Sequence, residues 1–184
     1  MLKKLNNFFV ICCIYFSLIS CSTPEEPIVN SYDAVISLTV GNVFRYEQTW
    51  DTLTWYNEVY IDKNYVINGK LYAKIYSYYI RADSIRVYSF EEEDSPMFEQ
   101  IELDYSGLVG DTVYYKRWAK GIIKSIEYIH VFGELQKVIT LKDLHSDDLI
   151  SKYATKFGEI ESFWMGNTEK KLVYAKINGV EYRN

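Results

Sequence analysis

Apolar and polar residues alternate one by one along most of the chain from about residue 40. The alternation is clear in two successive runs, whose apolar positions are Phe44, Tyr46 and Trp50 in the first and Leu53, Trp55, Val59 and Ile61 in the second. A period of two is typical of β-strands that bury one face, because successive side chains of a strand point to opposite sides. We therefore expect Trp55 to be a core residue, on the same face as Leu53 and Ile61.

Turn residues divide this pattern into short strands. The pair Asn68-Gly69 stands between two apolar runs and predicts a hairpin, because a type I′ turn needs positive φ at both central residues. One strand over residues 70–79 is expected to follow, with Tyr72, Tyr76 and Tyr78 on one of its faces. Further strands are predicted at residues 85–90, 98–105, 112–118, 122–131, 135–141, 149–154, 160–164 and 171–177.

The strand count and the connections predict the fold class. About ten to twelve short strands, with no helical periodicity and no crossover helix between them, indicate an all-β domain. Successive hairpins favour an antiparallel up-and-down meander, as a curved sheet or a barrel-like one. We expect a single β domain over residues 41–184.

The first residues have the pattern of an export signal. Lys3 and Lys4 precede an uncharged apolar block, residues 8–19, which is shorter than the about 20 residues that a bilayer-spanning helix needs. A short positive segment followed by such a block is typical of a secretory signal peptide, predicted here over residues 1–20.

The end of the block, Leu18-Ile19-Ser20-Cys21, resembles the lipobox of bacterial lipoproteins. The resemblance implies cleavage before Cys21 and attachment to a membrane through acyl chains on that residue, and two or three chains anchor a protein stably. Residues 21–40 would then be the lipidated N-terminus and a tether. Ser22 after the cysteine implies the outer membrane, and Glu25-Glu26 resembles a surface-export signal of Bacteroidota-type lipoproteins.

The rest of the chain resembles a recurrent, uncharacterised β domain of exported Bacteroidota-type proteins. The similarity lies mainly in turns and strand starts, namely Ile67-Asn68-Gly69-Lys70-Leu71-Tyr72, Ile85-Arg86-Val87-Tyr88, Leu103-Asp104-Tyr105, Val109-Gly110-Asp111-Thr112-Val113 and Phe157-Gly158-Glu159-Ile160. These are structural positions. The resemblance therefore implies a fold and a location, and it supplies no catalytic residue.

Composition and charge narrow the function classes. The chain has 184 residues, 48% of them hydrophobic, which excludes a collagen, a coiled coil and a disordered chain. The net charge of −5 and the lack of a Lys/Arg cluster argue against nucleic acid as a partner. Removal of Cys12 and Cys13 with the signal and acylation of Cys21 would leave no thiol for a disulfide, a zinc site or a nucleophile. We expect no cofactor and no metal.

Four polar features of the sequence are candidate reactive sites. His145 lies in the acidic segment 143–148, which we interpret as a solvated loop, and His130 as an ordinary strand residue. The acidic run 91–94 is most simply an exposed loop. Glu159 and Glu161 would share a strand face about 6.6 Å apart, a spacing that an inverting glycosidase permits but that any strand with a wet acidic face also shows.

The aromatic surplus is the only compositional feature that bears on binding. The chain has 18 tyrosines, and neighbouring strands can join such residues into a cross-strand patch. An exposed patch would suit a glycan or an envelope protein, whereas an enclosed one would be core. The candidate residues are Trp50, Tyr56, Tyr60, Tyr72, Tyr76 and Tyr78. We expect Tyr76 to be a surface residue.

Three functions follow as hypotheses. The first is a lipid-anchored cell-envelope module with a non-catalytic binding or structural role. The second is a carrier or sensor for an apolar ligand held inside a curved sheet. The third is a hydrolase acting on glycans.

Overall fold

The computed structural model describes residues 36–91, 99–115, 119–146, 149–164 and 168–183. These residues form fourteen strands and no helix. The strands are β1 (Val43–Trp50), β2 (Leu53–Tyr60), β3 (Asn64–Ile67), β4 (Lys70–Ile75), β5 (Tyr78–Ala82), β6 (Arg86–Glu91), β7 (Gln100–Asp104), β8 (Thr112–Tyr115), β9 (Ala119–Val131), β10 (Glu134–Asp143), β11 (Ile150–Ala154), β12 (Gly158–Trp164), β13 (Thr168–Ile177) and β14 (Val180–Arg183). The described residues therefore contain no helix that is long and apolar enough to cross a membrane.

The strands form two antiparallel sheets. The larger has nine strands in the order β2-β1-β13-β12-β11-β10-β9-β8, with β14 paired to β13, and the smaller has five in the order β3-β4-β5-β6-β7. Neighbours along the chain are mostly neighbours in a sheet, so the predicted all-β, up-and-down antiparallel fold is confirmed. The sheets do not close into a barrel. The main departure from a simple meander is β13, which returns to pair with β1.

Local turn chemistry explains several of the hairpins. Asn68 and Gly69 have φ of 52° and 75°, as the type I′ prediction requires, and Asn178-Gly179 repeats this geometry between β13 and β14. The predicted strand over residues 70–79 was wrong, because the chain reverses between Ile75 and Tyr78, where Tyr76 has a φ of 54°. That segment is therefore a hairpin made of β4 and β5.

The five-stranded sheet packs on one face of the nine-stranded sheet. Val87 and Leu103 of the smaller sheet lie in one core cluster with Ile123, Leu141 and Tyr153 of the larger one. A second cluster joins Ala73 of β4 to residues of β1 and β13. Between the sheets, the Tyr105 hydroxyl donates to the carbonyl of Ala154 at 3.1 Å.

The chain before β1 also contacts this core. Within the range predicted as a tether, Ser37 is buried and Ile36 packs on the first cluster. Asn42 donates its side-chain amide to the Ser37 carbonyl at 3.0 Å, and its side-chain oxygen accepts from the Asn178 amide at 2.8 Å. The start of β1 is thus held to the turn between β13 and β14.

Candidate functional site

One row of side chains crosses the nine-stranded sheet from the β2 edge toward β8. Read from the paired positions, the row is Trp55, Gln48, Lys170, Ser162, Ser151, Leu141 and Ile123. Residues directly opposite each other in antiparallel strands lie on the same face. Leu141 and Ile123 are buried against the five-stranded sheet, so the whole row lies on the covered face. At the other end of the row Trp55 is 41% exposed, because the cover ends before it.

The neighbouring row lies at the ends of β2, β1, β13 and β12, and its three apolar members are exposed. It consists of Leu53, Trp50, Thr168 and Trp164. Trp50 is 58% exposed and Trp164 46%. We call Trp50, Leu53, Trp55 and Trp164 the tryptophan corner. It holds three of the four tryptophans of the chain, on the sheet face that elsewhere forms the core.

A cavity of about 80 Å³ opens at this corner. Its lining is formed by Gln48, Trp55, Ser162, Trp164, Thr168 and Lys170. Ser162 is only 1% exposed, and among the residues that the structure describes none forms a hydrogen bond with its Oγ. A buried hydroxyl without a partner is unusual, since most buried polar groups are hydrogen-bonded.

The positive charge at the floor of the cavity is compensated. Lys170 Nζ lies 2.6 Å from Glu159 Oε2 and 4.1 Å from the centre of the Tyr46 ring. Burial and the negative charge of Glu159 raise the pKa of Tyr46 above its usual range, and the same two causes raise the pKa of Tyr153. The floor is therefore a neutral ion pair packed among uncharged tyrosines.

These groups can bind but do not form a nucleophile–base pair. Indole rings offer apolar faces, and Gln48, Thr168 and Lys170 offer hydrogen-bonding groups at the cavity. Activation of a serine needs a base within hydrogen-bond reach. Ser162 has no such base among the described residues.

The predicted aromatic patch does not form a single surface. Tyr56 and Tyr60 are exposed, but they lie on the opposite face of β2 from Trp55. There the Tyr56 hydroxyl donates to Glu47 Oε2 at 3.0 Å, and that of Tyr60 donates to Glu58. Of the six candidates, Trp50 alone lies in the tryptophan corner.

The three candidates of the 70–79 segment lie in different environments. Tyr72 is 2% exposed, so its assignment to a binding surface was wrong. Its hydroxyl donates to Glu99 Oε1 at 2.7 Å, and its ring packs edge-on against Phe90. Tyr76 lies exposed at the turn, as expected for a surface residue, and Tyr78 is half-buried in β5. The turn at Tyr76 separates these side chains, which a single strand would have aligned.

The expectation that Trp55 is a core residue was also wrong. It shares a face with Leu53, Val59 and Ile61, as the alternation predicted, but only Ile61 is fully buried. Trp164 was not singled out at all. Its proximity to Trp55 depends on the pairing of β12 with β13 and of β13 with β1, which links residues more than a hundred positions apart.

A β-bulge separates the two glutamates that were weighed as a catalytic pair. Glu161 is opposite Lys152 and Glu159 is opposite Tyr153, which leaves Ile160 as the extra residue. Lys152 and Tyr153 are consecutive and point to opposite faces, so Glu159 and Glu161 do not share a face. Glu161 forms an ion pair with Lys152. The same-face prediction was wrong because the bulge breaks the period of two.

The segment around His145 is held in place by the buried carboxylate of Asp143. Asp143 accepts from the Tyr115 hydroxyl at 2.5 Å and from the amides of His145 and Ser146 at 2.6 and 2.9 Å. The interpretation of this segment as a solvated loop agrees with the exposure of Leu144 and His145, but it was wrong at Asp143, the buried last residue of β10. Asp147 and Asp148 lie outside the described residues. His130 is exposed in β9. In the described part of the chain, no three His, Cys, Asp or Glu side chains form a group able to hold a metal ion.

Comparisons with known proteins identified no relative of this chain. Neither the protein-family models nor the curated proteins nor the solved structures gave a match to the chain.

Proposed function

We propose that the protein is a lipid-anchored module of the cell envelope that binds a ligand at the tryptophan corner without catalysing a reaction. The observation that carries the binding role is the exposure of three indoles at one corner, two of which line a cavity that also holds the buried Ser162 hydroxyl, without a hydrogen-bond partner among the described residues. Monomeric proteins rarely expose grouped large apolar side chains unless these bind something. Glu159 and Glu161 lie on opposite faces, and no described residue offers a base to Ser162; both observations favour binding over hydrolysis.

The anchor is the second part of the proposal. Cys21 lies outside the described residues, and the lipobox pattern Leu18-Ile19-Ser20-Cys21 supports its acylation. We place the protein in the outer membrane, on its periplasmic or cell-surface side, because Ser22 follows the cysteine. The acyl chains would keep the binding corner at the membrane surface.

The anchor is tested with a Cys21→Ala variant. Cells given a fatty-acid probe should label the wild-type protein, whereas the variant should stay unlabelled and uncleaved, because the acceptor sulfur is missing. A Ser20→Gly variant, which keeps a small residue before the cysteine, is the matched control and should be processed. Normal acyl labelling of Cys21→Ala would refute the anchor.

Binding is tested by tryptophan fluorescence of the full lipoprotein in detergent. Envelope extract, separated into a polysaccharide and a protein fraction, should produce a saturable change in emission with one of the two. Trp55→Ala should abolish the change, and Tyr56→Ala, the adjacent residue on the opposite face, should keep it. An equal response of Trp55→Ala and wild type, or no response to either fraction, would refute a binding role for the corner.

A further inference from the structure

We infer that the cavity between Trp55 and Trp164 is a subsite for one uncharged pyranose ring of an oligosaccharide. The inference rests on the proposed binding function and names its ligand class. It depends on four properties of the cavity, namely its walls, its floor, its charge and its size. Each of them excludes a different kind of occupant.

The walls favour a ring with an apolar face. Trp55 and Trp164 both line the cavity, and both keep about half of their surface exposed. The negative face of an indole attracts the weakly positive C–H groups of a sugar ring, as it attracts other positive edges. A rigid aromatic side chain also has few rotamers to lose when a ligand is bound.

The floor favours a ligand that carries hydroxyl groups. Ser162 Oγ is buried without a partner among the described residues, and Gln48 and Thr168 border the same space. An apolar ligand, such as a lipid chain or an aliphatic side chain, would leave this hydroxyl unpaired, as it is in the free protein, and would gain no hydrogen bond from it. A sugar hydroxyl both donates and accepts, so it satisfies Ser162 and an amide at once.

The charge favours a neutral ligand. Among the described residues, Lys170 is the only cationic side chain that lines the cavity, and its ammonium group is held by Glu159 at 2.6 Å and by the Tyr46 ring. A uronate or a phosphorylated sugar would have to compete with the Glu159 carboxylate for this cation. The paired ammonium group still has N–H bonds to donate to a hydroxyl.

The size of the cavity favours one sugar ring at the end of a longer oligosaccharide. The space of about 80 Å³ is well above the roughly 10–15 Å³ that one water needs, and well below the roughly 300–1,000 Å³ of sites that enclose a drug-sized ligand. A ring can enter edge-first while the adjoining residues of the oligosaccharide lie on Trp50 and Leu53, which are exposed beside it.

The experiment is a glycan array followed by calorimetry. The full lipoprotein is kept in a polyoxyethylene detergent, because a glucoside detergent would itself offer a sugar. The array carries neutral gluco-, manno-, galacto- and xylo-oligosaccharides, together with oligogalacturonates. We expect at least one neutral series to bind and the oligogalacturonates to bind more weakly.

Variants then connect binding to the cavity. Trp164→Ala and Trp55→Ala should each weaken binding of the neutral oligosaccharide about tenfold or more, as for other central aromatic contacts. Ser162→Ala should weaken it about two- to tenfold, the range for one hydrogen bond, while the thermal midpoint of the free protein stays equal or rises. A serine with only a structural role would lower that midpoint and leave binding unchanged. Tyr56→Ala is the control and should bind as wild type does.

The outcomes separate this inference from the proposed function. Binding only of the acidic oligosaccharides, or neutral binding that Trp164→Ala does not change, would overturn the neutral subsite. If no oligosaccharide binds but the envelope protein fraction still gives a Trp55-dependent change, the sugar subsite is refuted and the binding module remains. If neither ligand class responds to Trp55→Ala, both proposals are refuted.

Discussion

At the scale of single residues, the same residue type has different roles in this fold. Tyr72 is buried and its hydroxyl donates to Glu99, which Arg81 also holds with two hydrogen bonds of 2.5 and 2.7 Å. Burial, followed by the hydrogen bond to Glu99, raises the pKa of Tyr72 to about 12. Tyr76, four residues on, is 65% exposed at a turn. The difference follows from packing and cannot be read from tyrosine content.

This difference predicts unequal effects of truncation. Tyr72→Ala should lower the free energy of unfolding by about 3–5 kcal/mol, as the removal of a buried aromatic ring does. Tyr76→Ala should change it by about 0.5 kcal/mol or less, because the ring is mostly in solvent. Denaturant unfolding curves of both variants measure the two values. A loss at Tyr76 as large as that at Tyr72 would show that the turn is part of the core.

At the scale of elements, one glycine sets the approach of β9 to the buried Tyr115. A Cβ atom at Gly121 would lie 3.0 Å from the Lys142 carbonyl oxygen and 3.0 Å from Cε1 of Tyr115. Gly121 is opposite both Val113 of β8 and Asp143 of β10, so the contact joins three strands. The missing side chain leaves room for the Tyr115 ring, whose hydroxyl reaches Asp143.

The packing around Gly121 predicts an overpacking penalty. Gly121→Ala should lower the free energy of unfolding by about 1–3 kcal/mol, because a backbone oxygen and a buried ring must both move. Tyr115→Leu also destabilises, but it shortens the side chain that the new methyl group meets. The double variant should therefore lose less free energy of unfolding than the two single variants lose together. Strict additivity in denaturant unfolding would contradict this contact as the cause.

At the scale of the whole molecule, the two sheets enclose several uncharged tyrosines. Tyr46, Tyr105 and Tyr153 are buried between strands, and burial is the largest cause that raises the pKa of each above its usual range. In the unfolded chain a tyrosine loses its proton near pH 10. Above that pH the folded protein binds more protons than the unfolded one, so its stability falls as the pH rises.

The enclosed tyrosines predict unfolding in alkali. The free energy of unfolding should stay nearly constant from neutral pH to about pH 9 and should fall steeply above about pH 10. Tyrosinate absorbance should show that these residues ionise together with the loss of the β-sheet circular dichroism signal. Tyr153→Phe should make the alkaline slope shallower by one titrating group. A slope that Tyr153→Phe leaves unchanged would exclude Tyr153 as a contributor.

Features that depend on near neighbours along the chain are predictable from the sequence alone. The period of two predicts strands because it reports which side chains share a face, and Asn68-Gly69 predicts a hairpin because its backbone conformation is set by those two residues. The all-β antiparallel class follows from these local signals. The reversal at Tyr76 escaped prediction because a tyrosine with positive φ is uncommon.

Which surfaces are covered, and which residues meet across the sheet, depends on the long-range pairing of the strands. Leu53, Trp55, Val59 and Ile61 do share a face, yet exposure falls from 64% at Leu53 to 1% at Ile61, because the five-stranded sheet covers only part of it. The return of β13 to β1 places Trp164 and Ser162 beside Trp55, and the bulge at Ile160 sends Glu159 inward and Glu161 to the opposite face. Both arrangements depend on long-range register, which alternation along a single strand does not encode.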